Sequence, residues 1–217
     1  IMPSLVGSEM CIRDSCVSDG SLFALKSELS YLWTVNIGMA LENIRKWQWI
    51  NRMNEKINRM WKYDMLTQVL NRSGFFYCAE TILQKIKEEK SNAFIIFLDI
   101  DGLKSVNDNL GHEIGDAFIA KIAGILKEVV PKDCLIMRYG GDEFVVFGSC
   151  KQAGRMQRIA EDIKAAIKTA DQKENRSYHL AASLGCSLHK SYEMDNLNSL
   201  IELADKKMYE EKKNKRR

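Results

Sequence analysis

Two acidic residues follow a pair of glycines beyond the middle of the chain, where a metal ion and a phosphate group could bind side by side. Asp142 and Glu143 come directly after Gly140 and Gly141 in the sequence RYGGDEF. Glycine has no side chain, so a ligand can approach its backbone closely. Carboxylates beside such a backbone suit a site for Mg²⁺ and a phosphate. By composition alone, the same four residues also fit an acidic hairpin turn exposed to solvent.

Apolar runs on either side of these residues predict the structure that carries them. Leu135–Met137 lies before the glycines and Phe144–Phe147 lies after the acidic pair. Two short apolar runs joined through Gly-Gly predict a β-hairpin, because paired glycines supply the positive φ that tight hairpin turns require. We therefore expect a positive φ at Gly140 and Gly141.

A second acidic strand end strengthens the hypothesis of a metal site. Ala93–Leu98 is a continuous apolar run, which predicts a strand buried on both faces, and Asp99 and Asp101 follow it. Strand alternation places these two carboxylates on one face and Ile100 on the other. If this strand lies beside the hairpin, Asp99 and Asp142 face each other across a cleft. That arrangement would serve a two-metal phosphoryl or nucleotidyl transfer. Taken alone, the strand end also fits a capped turn.

The rest of the pattern predicts alternating helices and strands around these two acidic sites. Besides the hairpin, the expected helices and strands cover 74–90, 93–99, 113–130, 153–170, 179–188 and 197–213. This order favours a mixed sheet flanked by helices. Between residues 21 and 63 the pattern is helical, because apolar residues recur every three or four positions.

Together with the hairpin, five more segments match a set of motifs known from one family. They are DMLTQVLNR at 64–72, DIDGLKSVND at 99–108, GHEIGD at 111–116, SLG at 183–185, and ADKKMY at 204–209 with a lysine at 212. The chain therefore resembles the GGDEF domain, the catalytic domain of diguanylate cyclases, from about Tyr63 to the end of the sequence. The resemblance implies an α/β sandwich of the nucleotide-cyclase or polymerase-palm type, with a central mixed sheet flanked by helices, preceded here by a long N-terminal helix.

The resemblance also implies an activity and its catalytic residues. The expected reaction condenses two GTP into cyclic di-GMP and releases two pyrophosphates, with Mg²⁺ or Mn²⁺ as cofactor. Because each active site holds one GTP, the resemblance implies a homodimer. Asp99, the Ile100 carbonyl, Asp142 and Glu143 are the implied metal ligands. Glu143 is also a candidate for assisting deprotonation of the attacking 3′-hydroxyl.

The matching motifs imply a set of substrate-binding residues as well. These are Asn107 and Asp116 for the guanine edge, Lys104, Lys212 and Arg216 for the phosphates, and Gly140 and Gly141 at the hairpin. An Asp acceptor opposite the guanine N–H groups rejects adenine, because adenine would leave buried polar groups unpaired. Without the surrounding motifs, Asn107 would fit an ordinary turn and Asp116 an exposed position at the start of a helix.

Three positions depart from the family's motifs. Gln68 stands where the opening motif has Gly, Glu211 replaces Ala before Lys212, and Lys215 replaces Gly before Arg216. The last two departures lie within the predicted phosphate clamp at the C-terminal end. None of the three touches the implied metal ligands.

An inhibitory product site of the R-x-x-D type is expected to be absent. Pro131 and Cys134 occupy the positions where many family members have the Arg and the Asp. Lys132 lacks the planar fork that Arg uses on guanine and phosphate, and Asp133 is one place out of register. We therefore expect no product inhibition through this surface.

Composition limits the remaining classes of function. The formal net charge of +3 in 217 residues is too small to favour a nucleic-acid partner. The six cysteines include no C-x-x-C pair, which argues against a zinc site. Scattered cysteines without a secretory signal favour a cytoplasmic protein. No apolar stretch is long enough to span a bilayer, although a lost upstream part could tether the protein to a membrane.

The sequence predicts three segments. Residues 1–15 lack periodicity and resemble peptide translated from sequencing-adapter read-through, so an upstream sensor domain is expected to be missing. Residues 16–62 are expected to form a signalling and dimerisation helix, which could be the end of a lost sensor domain. Residues 63–217 are expected to form the catalytic domain. Trp47, Ile50 and Met53 follow each other at intervals of three, which would strain a regular coiled coil. A helix packed on its own domain is the alternative.

Two other functions fit the same motifs. A catalytically inactive GGDEF domain could bind GTP or cyclic di-GMP and signal by contact. An adenylate or hybrid cyclase could use the same fold. Diguanylate cyclase ranks first, because degenerate members usually lose the acidic turn and this chain keeps Asp142 and Glu143.

Overall fold

The structure is a computed structural model that describes residues 21–152, 154–173, 178–190 and 197–215. The expectations for residues 1–15 and for Arg216 lie outside these ranges. The helices and strands are α1 Ser21–Lys62, α2 Arg72–Glu88, β1 Asn92–Ile100, α3 Leu103–Leu110, α4 His112–Val129, β2 Leu135–Arg138, β3 Glu143–Cys150, α5 Arg155–Lys173, β4 Ala182–His189 and α6 Leu197–Lys215. The short helix α3 was not predicted. It begins after Gly102, whose φ of 77° lies in the left-handed region.

The four strands form one sheet in the order β2-β3-β1-β4, and each neighbouring pair is antiparallel. The expected α/β fold with flanking helices is confirmed. The sequence predicted a mixed sheet because helices connect the strands. Strands β1 and β2 do run parallel, but β3 lies between them. Within the described residues, parallel pairing is confined to an isolated bridge between Leu70 and Met137.

Strand β1 is buried on both faces, as its apolar run predicts. Phe94 and Ile96 pack into a core formed with α4 and α5, whereas Ile95 and Phe97 pack into a second core formed with α2 and α6. All four side chains have at most 1% of their surface exposed. Because successive side chains of a strand point to opposite faces, one strand supplies the centre of both cores.

The link between α1 and α2 is held by side-chain and backbone contacts. The Asn71 side chain accepts a hydrogen bond from the Gly74 N–H at 2.9 Å and donates one to the Trp61 carbonyl at 2.9 Å. A Cβ at Gly74 would lie 2.1 Å from the Lys62 carbonyl oxygen, so only glycine allows this approach. Asn71 therefore caps α2 and fixes the last turn of α1.

The chain divides into two compact units, Ile1–Lys56 and Ile57–Arg217. In the first unit, α1 exposes large apolar side chains, among them Trp33, Trp47 and Trp49 with more than 60% of their surface accessible. No helix within the described ranges is both long and apolar enough to cross a membrane. The predicted domain boundary after residue 62 stays a prediction.

Candidate active site

The predicted hairpin is present, but its turn differs from the expected one. The Tyr139 N–H donates to the Glu143 carbonyl at 2.8 Å, which leaves Gly140, Gly141 and Asp142 as the loop. The expectation of positive φ was wrong, because neither glycine is among the described residues with positive φ. A Cβ at Gly140 would lie 2.5 Å from Glu143 Oε2. The missing side chain at Gly140 leaves the space that this carboxylate occupies, and a Cβ there would displace the end of the Glu143 side chain.

Strand pairing brings the acidic residues of the two sequence segments together. Strand β1 lies beside β3, and Asp99 is the direct cross-strand partner of Glu143. The Ile100 N–H donates to the Asp142 carbonyl at 3.0 Å. The Ile100 side chain is buried on the opposite face with 1% exposure, so its carbonyl is what this residue can offer a ligand. Three carboxylates thus meet at one end of the sheet.

The carboxylates at this end of the sheet disfavour each other's charge. Burial raises the pKa of Asp99, and the nearby charges of Asp142 and Asp101 raise it further against the opposing effect of Lys212. Burial also raises the pKa of Glu143, as do Asp142, Asp99 and the α6 residue Asp205. Desolvated carboxylates at close range are stabilised by a nearby cation. In this structure Lys212 Nζ donates to Asp99 Oδ1 and supplies one positive charge.

The residues at this strand end have the chemistry of a magnesium site. Asp99, Asp142 and Glu143 offer hard oxygen donors, and Mg²⁺ typically takes one or two carboxylates together with water and substrate phosphates. Within the described residues, no group of three or more His, Cys, Asp or Glu side chains is arranged as a formed metal site. The donors therefore fit the ion in type, and the assignment of the ligands stays a prediction.

Two residues predicted to bind guanine come from helices that pack against each other. Asn107 lies on α3, and its Oδ1 would be 1.8 Å from a Cβ at Gly115 in the first turn of α4. Gly115 therefore leaves the space that this side chain occupies, and a Cβ there would displace the Asn107 amide. Asp116 follows it on α4 and is exposed, and Lys104 is exposed in the first turn of α3. Of the five residues predicted to bind the base or the phosphates, four lie within the described ranges, and Arg216 lies outside them.

Helix α6 reaches the acidic strand end because β4 has a glycine beneath it. A Cβ at Gly185 would lie 2.1 Å from the Ala204 carbonyl oxygen and 2.2 Å from the Met208 N atom. The glycine of the SLG segment thus lets the helix backbone lie directly on the strand. This close packing brings Lys212, near the end of the described helix, to Asp99.

The six motifs, the two acidic strand ends and the antiparallel sheet all lie between residues 61 and 217. Residues 61–217 match the family described as diguanylate cyclase, GGDEF domain. The chain belongs to the GGDEF family. The RYGGDEF hairpin of this GGDEF domain is therefore the family's characteristic turn.

Two relatives of this GGDEF chain are named diguanylate cyclases. Diguanylate cyclase A of Treponema denticola is 29% identical over 199 residues, which cover 90% of this chain and 53% of that protein. Diguanylate cyclase VdcA of Vibrio cholerae is 32% identical over 168 residues, which cover 75% of this chain and 48% of that protein. The chain spans about half the length of these relatives.

A solved structure confirms the fold of this GGDEF domain. The coiled coil and GGDEF domain of DgcB from Caulobacter crescentus, crystallised in complex with c-di-GMP, has a TM-score of 0.70. The match covers 88% of this chain and 95% of that chain at 22% identity. At this identity the likeness concerns the fold, including a helix that precedes the sheet domain.

An ion pair that the sequence analysis did not assign supports the hairpin of the GGDEF domain. Arg138 donates from Nε and Nη2 to the Gly141 carbonyl at 3.2 and 2.7 Å, and from Nη1 to the Asp64 carboxylate at 3.1 Å. Asp64 also accepts from the Thr67 N–H at 2.9 Å. Burial raises the pKa of Asp64, but the hydrogen bonds from Thr67 and the charge of Arg138 outweigh it and lower the pKa overall. Asp side chains often accept hydrogen bonds from backbone N–H groups a few residues later, so Asp64 could have been recognised as a local acceptor.

The expected absence of an inhibitory site agrees with the surroundings of Cys134 and Asp133. Burial raises the pKa of the Cys134 thiol to about 11, so this residue offers no negative charge at neutral pH. Both carboxylate oxygens of Asp133 accept from Arg155 Nη2 at 2.7 Å. The carboxylate nearest the expected position is therefore already paired, and the absence of product inhibition stays a prediction.

Proposed function

We propose that this GGDEF domain condenses two GTP into cyclic di-GMP, with release of two pyrophosphates, as a Mg²⁺-dependent homodimer. The observation that carries the proposal is the meeting of Asp99, Asp142 and Glu143 at one sheet end beside a glycine-rich turn. Mn²⁺ fits the same oxygen donors. The names of the two diguanylate cyclase relatives support the same reaction.

Four groups of the chain would hold the cofactor under this proposal. They are the carboxylates of Asp99, Asp142 and Glu143 and the Ile100 carbonyl. A bound Mg²⁺ would neutralise charge on the phosphates and lower the pKa of the attacking 3′-hydroxyl. Because Gly140 and Gly141 have no side chains, a phosphate group could approach their backbone beside these carboxylates.

Glu143 is the group best suited to take the proton of the attacking hydroxyl. Burial raises its pKa, and the charges of Asp142 and Asp99 raise it further. Because a bound Mg²⁺ would oppose this rise, Glu143 would act as a base only while its carboxylate does not hold the ion. The O–H proton would pass to this carboxylate while the 3′-oxygen bonds to the α-phosphorus and pyrophosphate leaves. Lys212 and Lys104 would bind the phosphates and stabilise the charge that develops on the leaving group.

Base selection would depend on Asn107 and Asp116. An amide and a carboxylate can together satisfy the guanine edge, whereas adenine presents a donor and acceptor pattern that leaves the Asp116 oxygens unpaired. The contact of Asn107 with Gly115 holds the amide beside the helix that carries Asp116. This contact supports a role for the two residues in one binding site.

A homodimer is part of the proposal because two nucleotides must be joined. Each domain would hold one GTP, so two domains must face each other. The exposed apolar side chains of α1 provide a surface on which a second copy could pack. Pairing through α1 would raise the effective concentration of one domain near the other.

A non-catalytic GGDEF domain that binds GTP or cyclic di-GMP is the second candidate. The observation in its favour is the bond between Lys212 Nζ and Asp99 Oδ1, which would compete with a metal ion for that oxygen. Such a protein would bind nucleotide without turning it over.

Incubation of the purified chain with labelled GTP, ATP or both, in Mg²⁺, separates these functions. Cyclic di-GMP from GTP alone is expected. Binding of GTP without any product would support the non-catalytic alternative. Products that contain adenine would show an adenylate or hybrid cyclase. The variant Asp162→Asn, an exposed position on α5, serves as a preparation control with unchanged activity.

A further inference from the structure

The two C-terminal departures from the family's motif lie together on α6. Glu211 and Lys215 are one helical turn apart, and Lys215 Nζ lies 3.5 Å from Glu211 Oε1. We propose that they are positioning residues that form a latch, which holds the last described turn of α6 on β4 and so places Lys212 on Asp99. The consequence for nucleotide binding rests on the proposed function.

Lys215 makes the first half of the latch. Its Nζ donates to the Ala182 carbonyl at 2.7 Å, to Ser183 Oγ at 3.1 Å and to Asp101 Oδ2 at 3.1 Å. These three acceptors use the full donor capacity of a lysine ammonium. Ser183 Oγ in turn donates to Asp101 Oδ1 at 2.8 Å. Asp101 therefore accepts hydrogen bonds from Lys215 and Ser183, whereas Asp99, two residues earlier, accepts from Lys212.

Glu211 makes the second half of the latch. Its Oε2 accepts from Lys164 Nζ of α5 at 2.7 Å, and its Oε1 accepts from the Leu184 N–H at 3.4 Å. The longer of these distances marks a weak hydrogen bond. Glu211 thus joins α6 to both α5 and β4, and its negative charge faces Lys215 within the same helical turn.

The latch uses the free edge of the described sheet. The Asp101 N–H donates to the Ala181 carbonyl at 2.9 Å, so odd-numbered residues of β4 bond towards β1. Even-numbered residues such as Ala182 and Leu184 therefore present their backbone groups at the opposite edge. Strand β4 is the last strand of the described sheet on this side. Without the latch, these edge groups would need water or another partner.

Lys212 lies between the two latch residues in the same helical turn. Its long side chain loses considerable freedom when its ammonium is held at one place. A turn that is already fixed on β4 keeps Lys212 beside the acidic strand end, so moving its ammonium from Asp99 to a phosphate would cost less entropy. The latch residues are partly exposed, with 44% for the Lys215 side chain and 28% for that of Glu211. We therefore expect a moderate effect on binding and not a loss of the fold.

The test uses the full chain with Lys215→Met and Glu211→Gln, and Lys213→Met as the matched control. Lys213 has the same charge on the same helix but contacts the Tyr209 ring. The measurements are amide hydrogen exchange of Leu184 and the last turn of α6, and steady-state KM and kcat for GTP. Both latch variants should exchange faster at these amides and raise KM about two- to fivefold with little change in kcat. Lys215→Arg should keep part of the wild-type protection from exchange and a KM closer to that of the wild type.

Three results would decide against the latch or against the activity, and they differ from one another. Exchange rates equal to those of Lys213→Met would overturn the latch. A higher KM with unchanged exchange would show that Lys215 contacts the nucleotide directly and does not act through Lys212. If the wild-type chain forms no product, the proposed function fails, and hydrogen exchange in the latch variants alone decides whether the latch exists.

Discussion

The Lys212 ammonium is hydrogen bonded to the carboxylate of Asp99, a residue 113 positions earlier in the sequence. Asp99 has 7% of its surface exposed, so its charge depends on this partner. Under the proposed function, Asp99 must exchange the ammonium for a metal ion, and Lys212 then becomes free to bind phosphate. The pair therefore links metal binding to nucleotide binding, and it suggests how the two steps can be separated experimentally.

Lys212→Met should strengthen metal binding and weaken nucleotide binding. Removing the ammonium leaves the Asp99 charge without its counterion, so Mn²⁺ should bind the nucleotide-free variant several-fold more tightly, by about 1 kcal/mol. The KM for GTP should rise, because a phosphate ligand is lost. Calorimetric titration with Mn²⁺ measures the first effect, with Lys213→Met as the control for loss of a lysine on α6. Unchanged or weaker Mn²⁺ binding would contradict the proposed exchange.

Asp142→Asn should reduce cyclic di-GMP formation by at least about 100-fold, because it removes a charged oxygen donor at the centre of the proposed site. Asp99→Asn should act in the same direction. Circular dichroism should show an unchanged fold for both, and Asp162→Asn should keep wild-type turnover. Near-normal product formation by either active-site variant would refute the assignment of these carboxylates.

Asp64→Asn should lower stability in a way that depends on pH. The pKa of Asp64 is below its ordinary value of 3.8, so the folded state favours the ionised form. That stability is present above pH 3.8 and is lost as the pH falls through the folded-state pKa. At neutral pH the variant should lose about 1–3 kcal/mol, because Arg138 is left partly buried without its partner.

The pH dependence of Asp64→Asn can be followed by urea unfolding of the wild type and the variant between pH 3 and pH 7. The difference in unfolding free energy should shrink towards the acid end of this range. A constant difference across the range would show that the ion pair with Arg138 contributes nothing through its charge. The exposed substitution Asp162→Asn should leave the unfolding free energy unchanged throughout.

Gln68→Gly should stabilise the domain by about 0.5–1 kcal/mol. Gln68 has a φ of 55°, a left-handed conformation that costs a residue with a Cβ about 1–2 kcal/mol. Part of the gain is offset by the greater freedom of glycine in the unfolded chain and by loss of the hydrogen bond from Gln68 Nε2 to the Met65 carbonyl. Thermal unfolding measures the change. Gln68→Ala keeps the Cβ and should not stabilise, and a lower melting temperature for Gln68→Gly than for Gln68→Ala would exclude backbone strain.

Removal of the residues before Trp61 should make specific activity depend steeply on protein concentration. The truncated chain would have lost the apolar surface of α1, so two domains would meet only by diffusion. Specific activity measured across a dilution series, together with sedimentation, compares the truncated and full chains, and circular dichroism checks that the shorter chain folds. Equal specific activity on dilution would contradict a dimerising role for α1.

Local patterns in the sequence were sufficient for most of the secondary structure. The continuous apolar run before Asp99 predicted a strand buried on both faces, because alternation along a strand is a property of neighbouring residues. The two arms of the hairpin followed from the apolar runs on each side of the glycines. The helix at 103–110 was not predicted, because eight residues hold too few apolar repeats to show a helical period in the sequence.

The turn conformation was predicted wrongly because it depends on strand register. Pairing of Tyr139 with Glu143 fixes a longer loop, and the loop length decides which φ values Gly140 and Gly141 adopt. The motif correctly identified the turn of the hairpin, although not the backbone conformation of its two glycines. At Gly140 the Glu143 carboxylate occupies the space that a side chain would take, a contact that forms only once the hairpin is folded.

The sequence by itself determined the family, the acidic residues at two strand ends and the strand that separates the two cores, because each is encoded by residues close together in the chain. Only the tertiary structure decided that Lys212 lies on Asp99 and that Glu211 and Lys215 hold the last described turn of α6 on β4. These contacts join segments that are far apart in the sequence. They form because Gly185 lets α6 pack directly on the sheet. A local sequence pattern does not reveal how close two such distant segments lie in the fold.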